Sequence, residues 1–568
     1  MTNYQFTGGT ICAPATIPGT GAISIIRVSG KESLAIADKV IDTKGVPIAE
    51  TEGYRLRYGT VFEADGSVLD NVIVSVFRAP HSYTGENSVE ISCHASRFIV
   101  NKILELLVNA GARIAAPGEF TRRAFVNGKM DLAQAEAVAD VIASQSAASH
   151  RVAMNQLKGG FSSELKVLRE KLLTMTSLLE LELDFSEEDV EFASRKELGQ
   201  LVDDSLTHIR RLTASFSRGN AIKNGVPVAI VGATNTGKST LLNALLGEER
   251  AIVSDIAGTT RDTIEETLNI DGILFRFIDT AGIRETDETI EKIGIDRTFK
   301  KLGEAAVVLG MTDLSRGEAA VLEDADFILS KVNEMGGVKN VGTENDVAET
   351  GGASTAETDG ASLAETDGTP QAEMGGTTPA ETDGDSLAET GGVSQHGHGA
   401  GQERRVVILV NKCDVAGSFY KDDNGTGDSS GNDLGKNLAE IGDNKNVNHD
   451  NNIVSLIENK YDNCKVIPIS AKTGKGLSTL TKTLGEIGSE ITGSTDETLV
   501  TNVRHYEALV RAASALERVR AGLHIATLPP DLIAQDLREA LYHLGEIVGE
   551  ITTDETLGNI FRNFCIGK

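Results

Sequence analysis

One stretch constrains this chain more than any other: residues 227–242, PVAIVGATNTGKSTLL. The apolar run 228–231 reads as a short buried strand, which breaks into Gly232-Ala233-Thr234-Asn235-Thr236-Gly237-Lys238-Ser239 before an apolar-periodic helix. Strand, glycine-bracketed loop and helix in that order make a phosphate-binding loop. The glycines let backbone N–H groups turn onto phosphate oxygens, and the helix N-terminus adds partial positive charge. Lys238 is placed to reach the outer phosphates and the Ser239 hydroxyl to ligate Mg²⁺. The bland alternative is a Gly-rich strand-to-helix turn, and the strand before and helix after the full motif weigh against it.

Four further motifs follow. A Gly- and Thr-rich loop spans residues 255–262, DIAGTTRD; an apolar strand over 273–278 ends in Asp279-Thr280-Ala281-Gly282. The run 406–410 leads into Asn411-Lys412-Cys413-Asp414, and 466–469 into Ser470-Ala471-Lys472. Strand-ending motifs in this order sit at the carboxyl edge of a doubly wound sheet, where such sheets bind ligands. Asp279 is expected to hold Mg²⁺ through water, and the Gly282 N–H to touch the γ-phosphate. Asp414 selects the base: a carboxylate accepts two parallel hydrogen bonds from guanine, and adenine offers neither. GTP is therefore expected over ATP.

At 568 residues the chain exceeds one hydrophobic core, and about three to four domains are expected. The net charge of −29 argues against diffuse binding to nucleic acid or anionic membrane. Residues 341–400 hold 12 Asp or Glu and no Lys or Arg, so the rest still carries −17. Any nucleic-acid contact then needs a local basic patch or a partner protein. Five widely spaced cysteines form neither a disulfide ladder nor a CxxC site and are expected reduced. No window approaches the ~18 consecutive apolar residues of a membrane helix, and the first residues lack a leader pattern, so the expectation is a cytoplasmic protein without membrane contact.

In chain order, residues 1–125 alternate β-rich runs (22–28, 68–77, 88–92) with a helical stretch over 97–110, an α+β pattern. Arg27, Glu90 and Lys129 sit where a ligand could be faced, although residue type alone reads them as surface charge on strand ends. Residues 126–222 are helical, with a stripe at Leu132, Ala135, Ala137, Val138, Val141 and Ile142 and a heptad-like run over 165–183, both read as core. The nucleotide domain spans 223–490 and is interrupted twice. Ala-Glu-Thr-(Gly/Asp)-Gly recurs every eight residues from Ala348, with AEMGG at Ala372, and 335–403 cannot bury enough surface to offset ordering entropy. A Ca²⁺-binding β-roll is the alternative for that repeat, but the GGxGxD spacing is missing. The polar run 417–452 reads as a second disordered insertion. Residues 491–568 are helical again, broken by TLPPD, and are expected to complete the helical domain into which the nucleotide domain is inserted. The tail FCIGK puts Cys565 fourth from the end, but Gly567 and Lys568 do not fit prenylation.

The ordered set GATNTGKS, IAGTTRD, DTAG, NKCD and SAK, joined to SYTGENSVEISCH, APGEFTRRAFVNGKMDLAQAEAVAD and the terminal FCIGK, resembles the MnmE (TrmE) family of tRNA-modification GTPases, within the TrmE–Era–EngA–YihA–septin-like class. The resemblance covers nearly the whole chain outside the two insertions. It implies a multidomain α/β and α+β fold: an N-terminal tetrahydrofolate-binding-like domain, a helical domain from two chain segments and an inserted P-loop GTPase domain.

What it implies of function is GTP hydrolysis coupled to adding an aminomethyl-type or carboxymethylaminomethyl group at C5 of the wobble uridine of certain tRNAs. The implied partners are a second copy (a homodimer), FAD-carrying MnmG in a heterotetramer, and tRNA. The cofactors are Mg²⁺, K⁺ and a 5-formyl or 5,10-methylene tetrahydrofolate. Carried over by motif, the GTP contacts are Asn235, Thr236, Gly237, Lys238, Ser239, Thr240, Ser254, Asp255, Ile256, Ala257, Gly258, Thr259, Thr260, Asp279, Thr280, Ala281, Gly282, Asn411, Lys412, Asp414, Ser470, Ala471 and Lys472. Ser239 and Thr260 would ligate Mg²⁺; Asn235, Ser254, Ile256 and Thr259 would supply oxygens to K⁺, with Arg261 the alternative source of positive charge. Arg27, Glu90, Lys129 and Lys568 would contact folate. Cys565 would lie near that site as a functional or a bystander thiol. Ile283 stands where many small GTPases place a water-orienting Gln, and Glu291 is the family's position for that catalytic role. Thr234 departs from the family's usual Pro. A ribosome-assembly GTPase acting as an RNA-binding timer is the competing reading. Against it, residues 501–568 contain seven Arg or Lys and nine Asp or Glu, not a basic RNA-binding module. A mechanical membrane GTPase lacks a lipid-binding stretch.

Overall fold

A computed structural model describes residues 8–184, 195–249, 266–278, 305–334, 404–414, 450–461, 464–493, 497–525, 529–562, 564 and 567. The insertion 335–403 and the repeat within it lie outside these residues, as does most of 417–452. Only the last three positions of that second run are described, and there the expectation is corrected: they open a helix, Asp450–Lys460, whose Ile457 is buried in a core shared with Val308, Ile408 and Val466.

Among the described residues the amino-terminal part builds a seven-stranded sheet, in the order β3-β4-β5-β6-β2-β1-β7. These strands are β1 (Ile11–Pro14), β2 (Gly21–Ser29), β3 (Ile41–Asp42), β4 (Arg55–Phe62), β5 (Val68–Phe77), β6 (Ser88–Ala95) and β7 (Arg113–Ile114). Period-2 alternation turns Val72, Val74 and Val76 of β5 inward, where they meet Ile103 and Leu107 of helix α2 (Arg97–Asn109) and Leu34 and Ala37 of α1 (Ser33–Val40). Helix α3 (Glu119–Val126) leads from this sheet toward the helical part.

Helices α4 (Leu132–Ala143) and α5 (Ala147–Leu157) each start on a reciprocal capping box, Asp131 with Gln134 and Ser146 with Ser149. Of the expected α4 stripe, Leu132, Ala135, Ala137 and Val138 are buried, whereas Ile142 is 48 % exposed because the helix ends one residue later. Next come α6 (Gly160–Asp184), α7 (Arg195–Ala214) and α8 (Phe216–Asn224), and, past an intervening segment, α13 (Val503–Leu523), α14 (Pro530–Val548) and α15 (Asp554–Arg562). Leucines 165, 172, 198, 206 and 212 share one core with Leu509, Leu516, Leu537 and Leu544, so two chain segments far apart in sequence close a single bundle. Gln156 Nε2 donates to the Leu499 carbonyl (3.1 Å) and the Val500 N–H to Ser215 Oγ (3.0 Å) where they meet.

The intervening segment forms a six-stranded sheet ordered β13-β12-β11-β8-β10-β9: β8 (Val226–Gly232), β9 (Glu266–Ile270), β10 (Ile273–Ile278), β11 (Val307–Asp313), β12 (Arg405–Asn411) and β13 (Cys464–Pro468). All pairings are parallel except β9 with β10. Near-continuous apolar runs are what such strands require, because both faces are covered. On one face lie α9 (Lys238–Glu249) and α12 (Leu477–Thr492), on the other α10 (Glu318–Glu334) and α11 (Asp450–Lys460). Cys12, Cys93, Cys413 and Cys464 are unpaired, and burial pushes each thiol up to about 11, where it is inert. No described helix is long and apolar enough to cross a membrane.

Candidate active site

Strand β8 runs into the phosphate loop through Gly232 at φ 155, and α9 begins at Lys238 straight after Gly237 at φ 100. A Cβ built on Gly232 would collide with the Met311 carbonyl, and one on Gly237 with the Asn411 amide nitrogen. Both glycines are therefore required by close backbone approach as well as by conformation. Asn235 adopts φ 62, a left-handed geometry that asparagine tolerates better than most residues. Lys238 Nζ donates to the Gly232 and Ala233 carbonyls (2.9 and 2.8 Å), and burial lowers its pKa. A half-buried ammonium resting on loop carbonyls above a helix N-terminus fits a polyphosphate, whose oxygens are the stronger acceptors.

Asn411 ties the motifs together. Its Nδ2 donates to the Thr236 carbonyl (2.7 Å) and its Oδ1 accepts from the Ala471 N–H (3.0 Å), so one buried amide holds the phosphate loop, the end of β12 and the Ser470-Ala471-Lys472 turn in one geometry. Ser470 is fully buried and organises that turn: its N–H donates to the Lys475 carbonyl (2.9 Å), and its Oγ accepts from Thr473 N–H (3.3 Å). Lys412 follows at φ 65 with Nζ 2.6 Å from Asp313 Oδ2, and Cys413 is anchored by its N–H to the Ile469 carbonyl (3.2 Å). Asp414, Thr240 and Lys472 are exposed at the same edge, and Ser239 is half-buried on the first turn of α9.

Asp313 is the residue that motif reading missed. It ends β11 in register with Asn411, and although burial raises its carboxyl pKa, hydrogen bonds from Lys412 and Ser315 outweigh that and hold it below the usual range. The available signal was VVLGMTD, an apolar run closing on an acid as 273–279 does.

A second constellation lies on the amino-terminal sheet. Arg27 and Glu90 are cross-strand partners on β2 and β6, with Arg27 Nε 2.9 Å from Glu90 Oε1. The guanidinium lies 5.1 Å from the Tyr83 ring centre and 5.6 Å from that of Phe120, and donates to the Gly567 carbonyl (3.4 Å). The last residues of the chain thus reach the first domain. Gly567, at φ 101, is pressed so closely on Pro14 that a Cβ would overlap its carbonyl, and Phe561 and Phe564 pack on Gly118 at the start of α3. Lys129 donates to the Pro80 carbonyl (3.1 Å), and its stem lies against Gly85 of the loop carrying Tyr83.

Ser254, Asp255, Ile256, Ala257, Gly258, Thr259, Thr260, Asp279, Thr280, Ala281, Gly282, Glu291, Cys565 and Lys568 lie outside the described residues.

Residues 10–129 match the family described as "GTP-binding protein TrmE N-terminus" and residues 132–565 the family described as "MnmE helical domain". The chain is 43 % identical to the tRNA modification GTPase MnmE of Parabacteroides distasonis over 98 % of its own length and 100 % of that protein. It is 43 % identical to the protein of the same name from Bacteroides thetaiotaomicron (98 % and 99 % covered) and 41 % identical to that from Porphyromonas gingivalis (100 % and 99 % covered).

Proposed function

Because the chain belongs to the MnmE (TrmE) family of tRNA modification GTPases, we propose that it hydrolyses GTP to drive, with MnmG, the addition of an aminomethyl or carboxymethylaminomethyl group at C5 of the wobble uridine of certain tRNAs. The observation that supports this most is the Asn411 bridge: a phosphate-loop carbonyl and the Ala471 N–H converge on one side chain three residues before a carboxylate suited to guanine.

In this reading Asp414 accepts from the guanine N1–H and N2 amine, Ala471 and Lys472 border the base, and Asn411 fixes their distance from the phosphate loop. Backbone N–H groups of residues 235–240 receive the β-phosphate, and Lys238 leaves the loop carbonyls for phosphate oxygens. Ser239 and Thr260 would hold Mg²⁺, with Asp279 contributing through water, and the ion would supply positive charge to the phosphates. Asn235 with Ser254, Ile256 and Thr259 would offer oxygens to K⁺, which would supply the positive charge an arginine finger supplies elsewhere. Glu291 orients the water that attacks the γ-phosphorus as the bond to the β-phosphate oxygen breaks, giving GDP and phosphate.

The amino-terminal constellation is the folate site of this reading. Glu90 presents an acceptor and Arg27 donors beside the Tyr83 and Phe120 rings, a surface suited to a planar reduced pterin. Lys129 and Lys568 would complete it, with Cys565 near by. The protein works in the cytoplasm as a homodimer within a heterotetramer with MnmG. Mass spectrometry of wobble uridines tests this: cells lacking the protein should lose the C5 substituent from a subset of tRNAs, and an unchanged nucleoside profile would overturn the reading.

A further inference from the structure

Lys412 is held by one carboxylate, Asp313, and followed two residues on by another, Asp414. Asp414, two residues on in the same turn, is exposed and has no hydrogen-bond or ion-pair partner among the described residues. Asp313 reaches across from β11 to take the ammonium at 2.6 Å. Its own rotamer is fixed: Oδ1 accepts from the Ser315 N–H (3.0 Å) and Oγ (2.6 Å), leaving Oδ2 for the lysine. The parallel register that sets Asp313 opposite Asn411 places this buried acid next to Lys412 whatever the surface does.

We infer that Asp313 is a positioning residue for guanine specificity: by holding the Lys412 ammonium it keeps the Asp414 carboxylate open for the N1–H and N2 amine of the base. The inference rests on the reading of Asp414 as the base-recognising group. Lysine carries three donors on a flexible four-carbon stem. Released from Asp313, it has the exposed carboxylate of Asp414 two residues along the chain. An ion pair there would occupy the oxygens that guanine needs, and the nucleotide would have to displace it. The left-handed backbone at Lys412, uncommon outside glycine and concentrated at functional sites, points to a stem held in one direction for a purpose.

The test compares GDP with inosine diphosphate, which lacks the N2 amine, by calorimetric titration of the full-length protein. The wild type should prefer GDP. Asp313→Asn should weaken GDP binding about fivefold, the upper range for one exposed ion pair, with a smaller effect on inosine diphosphate, so the GDP preference shrinks. Asp313→Asn/Lys412→Met, which keeps the stem and removes the ammonium, should restore part of that preference. General loosening of the site would lower both nucleotides equally; an unaltered preference in Asp313→Asn, or a double variant no better than the single, overturns the inference while leaving the GTPase reading standing. A wild type that does not distinguish the two nucleotides overturns both.

Discussion

Replacing Asn411 by alanine removes one side chain and strands two backbone groups. The Thr236 carbonyl loses its 2.7 Å donor and the Ala471 N–H its 3.0 Å acceptor, around a residue only 3 % exposed. Each buried polar group left unpaired costs about 1–3 kcal/mol, so the two together cost about 2–6 kcal/mol. Both sit on loops at the sheet edge, where water enters once the amide is gone, which favours the lower part of that range, about 2–3 kcal/mol. At roughly 1.4 kcal/mol per factor of ten, GDP affinity should fall about 30- to 150-fold, because nucleotide binding must then re-form the geometry that Asn411 supplied. Titration with a fluorescent GDP analogue reads the affinity, and thermal unfolding reads any loss shared with the fold. Asn411→Asp sharpens the comparison: it keeps an acceptor for Ala471 but turns a charged oxygen toward the Thr236 carbonyl, and should bind at least as poorly as alanine. Affinity within twofold of wild type for both variants would refute the bridge as the element that joins base and phosphate recognition.

In the helical part, Glu136 of α4 is buried, accepts from Arg504 Nε (3.0 Å) and lies 2.7 Å from His505 Nε2 on α13. Burial raises its carboxyl pKa, but His505 and Arg504 outweigh it and bring the carboxyl from 4.5 to about 2. A depressed carboxylate contributes stability that is complete above about 4.5 and is lost as pH falls through about 2, here about 3 kcal/mol at ~1.36 kcal/mol per unit. Glu136→Gln should lower thermal stability at pH 7 and flatten its decline between pH 4.5 and 2 in calorimetric scans; an unchanged acid limb would contradict the assignment. Gly567→Ala should undock the tail, since a Cβ there overlaps the Pro14 carbonyl at a φ of 101. A reduced-folate ligand should then bind at least tenfold more weakly with GTP turnover retained, whereas full folate affinity would detach the tail from that site.

How far the fold could be read from residues alone depended on whether a signal was local. Strand β8 and the start of α9 were legible because an apolar run precedes the glycine-bracketed loop and helical apolar spacing follows it. The runs at 273–278 and 406–410 gave β10 and β12 because each ends in a polar motif. Strand β11 passed unnoticed: it is buried at every position, so it shows no alternation, and Asp313 acquires its role only through the register with β12. Arg27 and Glu90 looked like two surface charges because the pairing of β2 with β6 is what makes them an ion pair. The carbonyl of Gly567 reaches Arg27 from 540 positions away, a contact that no periodicity encodes. The start of α11 was hidden by the polar run preceding it, because its apolar positions begin only at Ile453.

Nucleotide turnover by the purified full-length protein, with GTP and ATP compared in KCl and in NaCl, tests the central claim most directly. Phosphate release is expected from GTP in KCl, with sharply less from GTP in NaCl and none above background from ATP. Equal hydrolysis of ATP, or no hydrolysis of GTP in either salt, would contradict a guanine-selective site that uses K⁺ in place of an arginine.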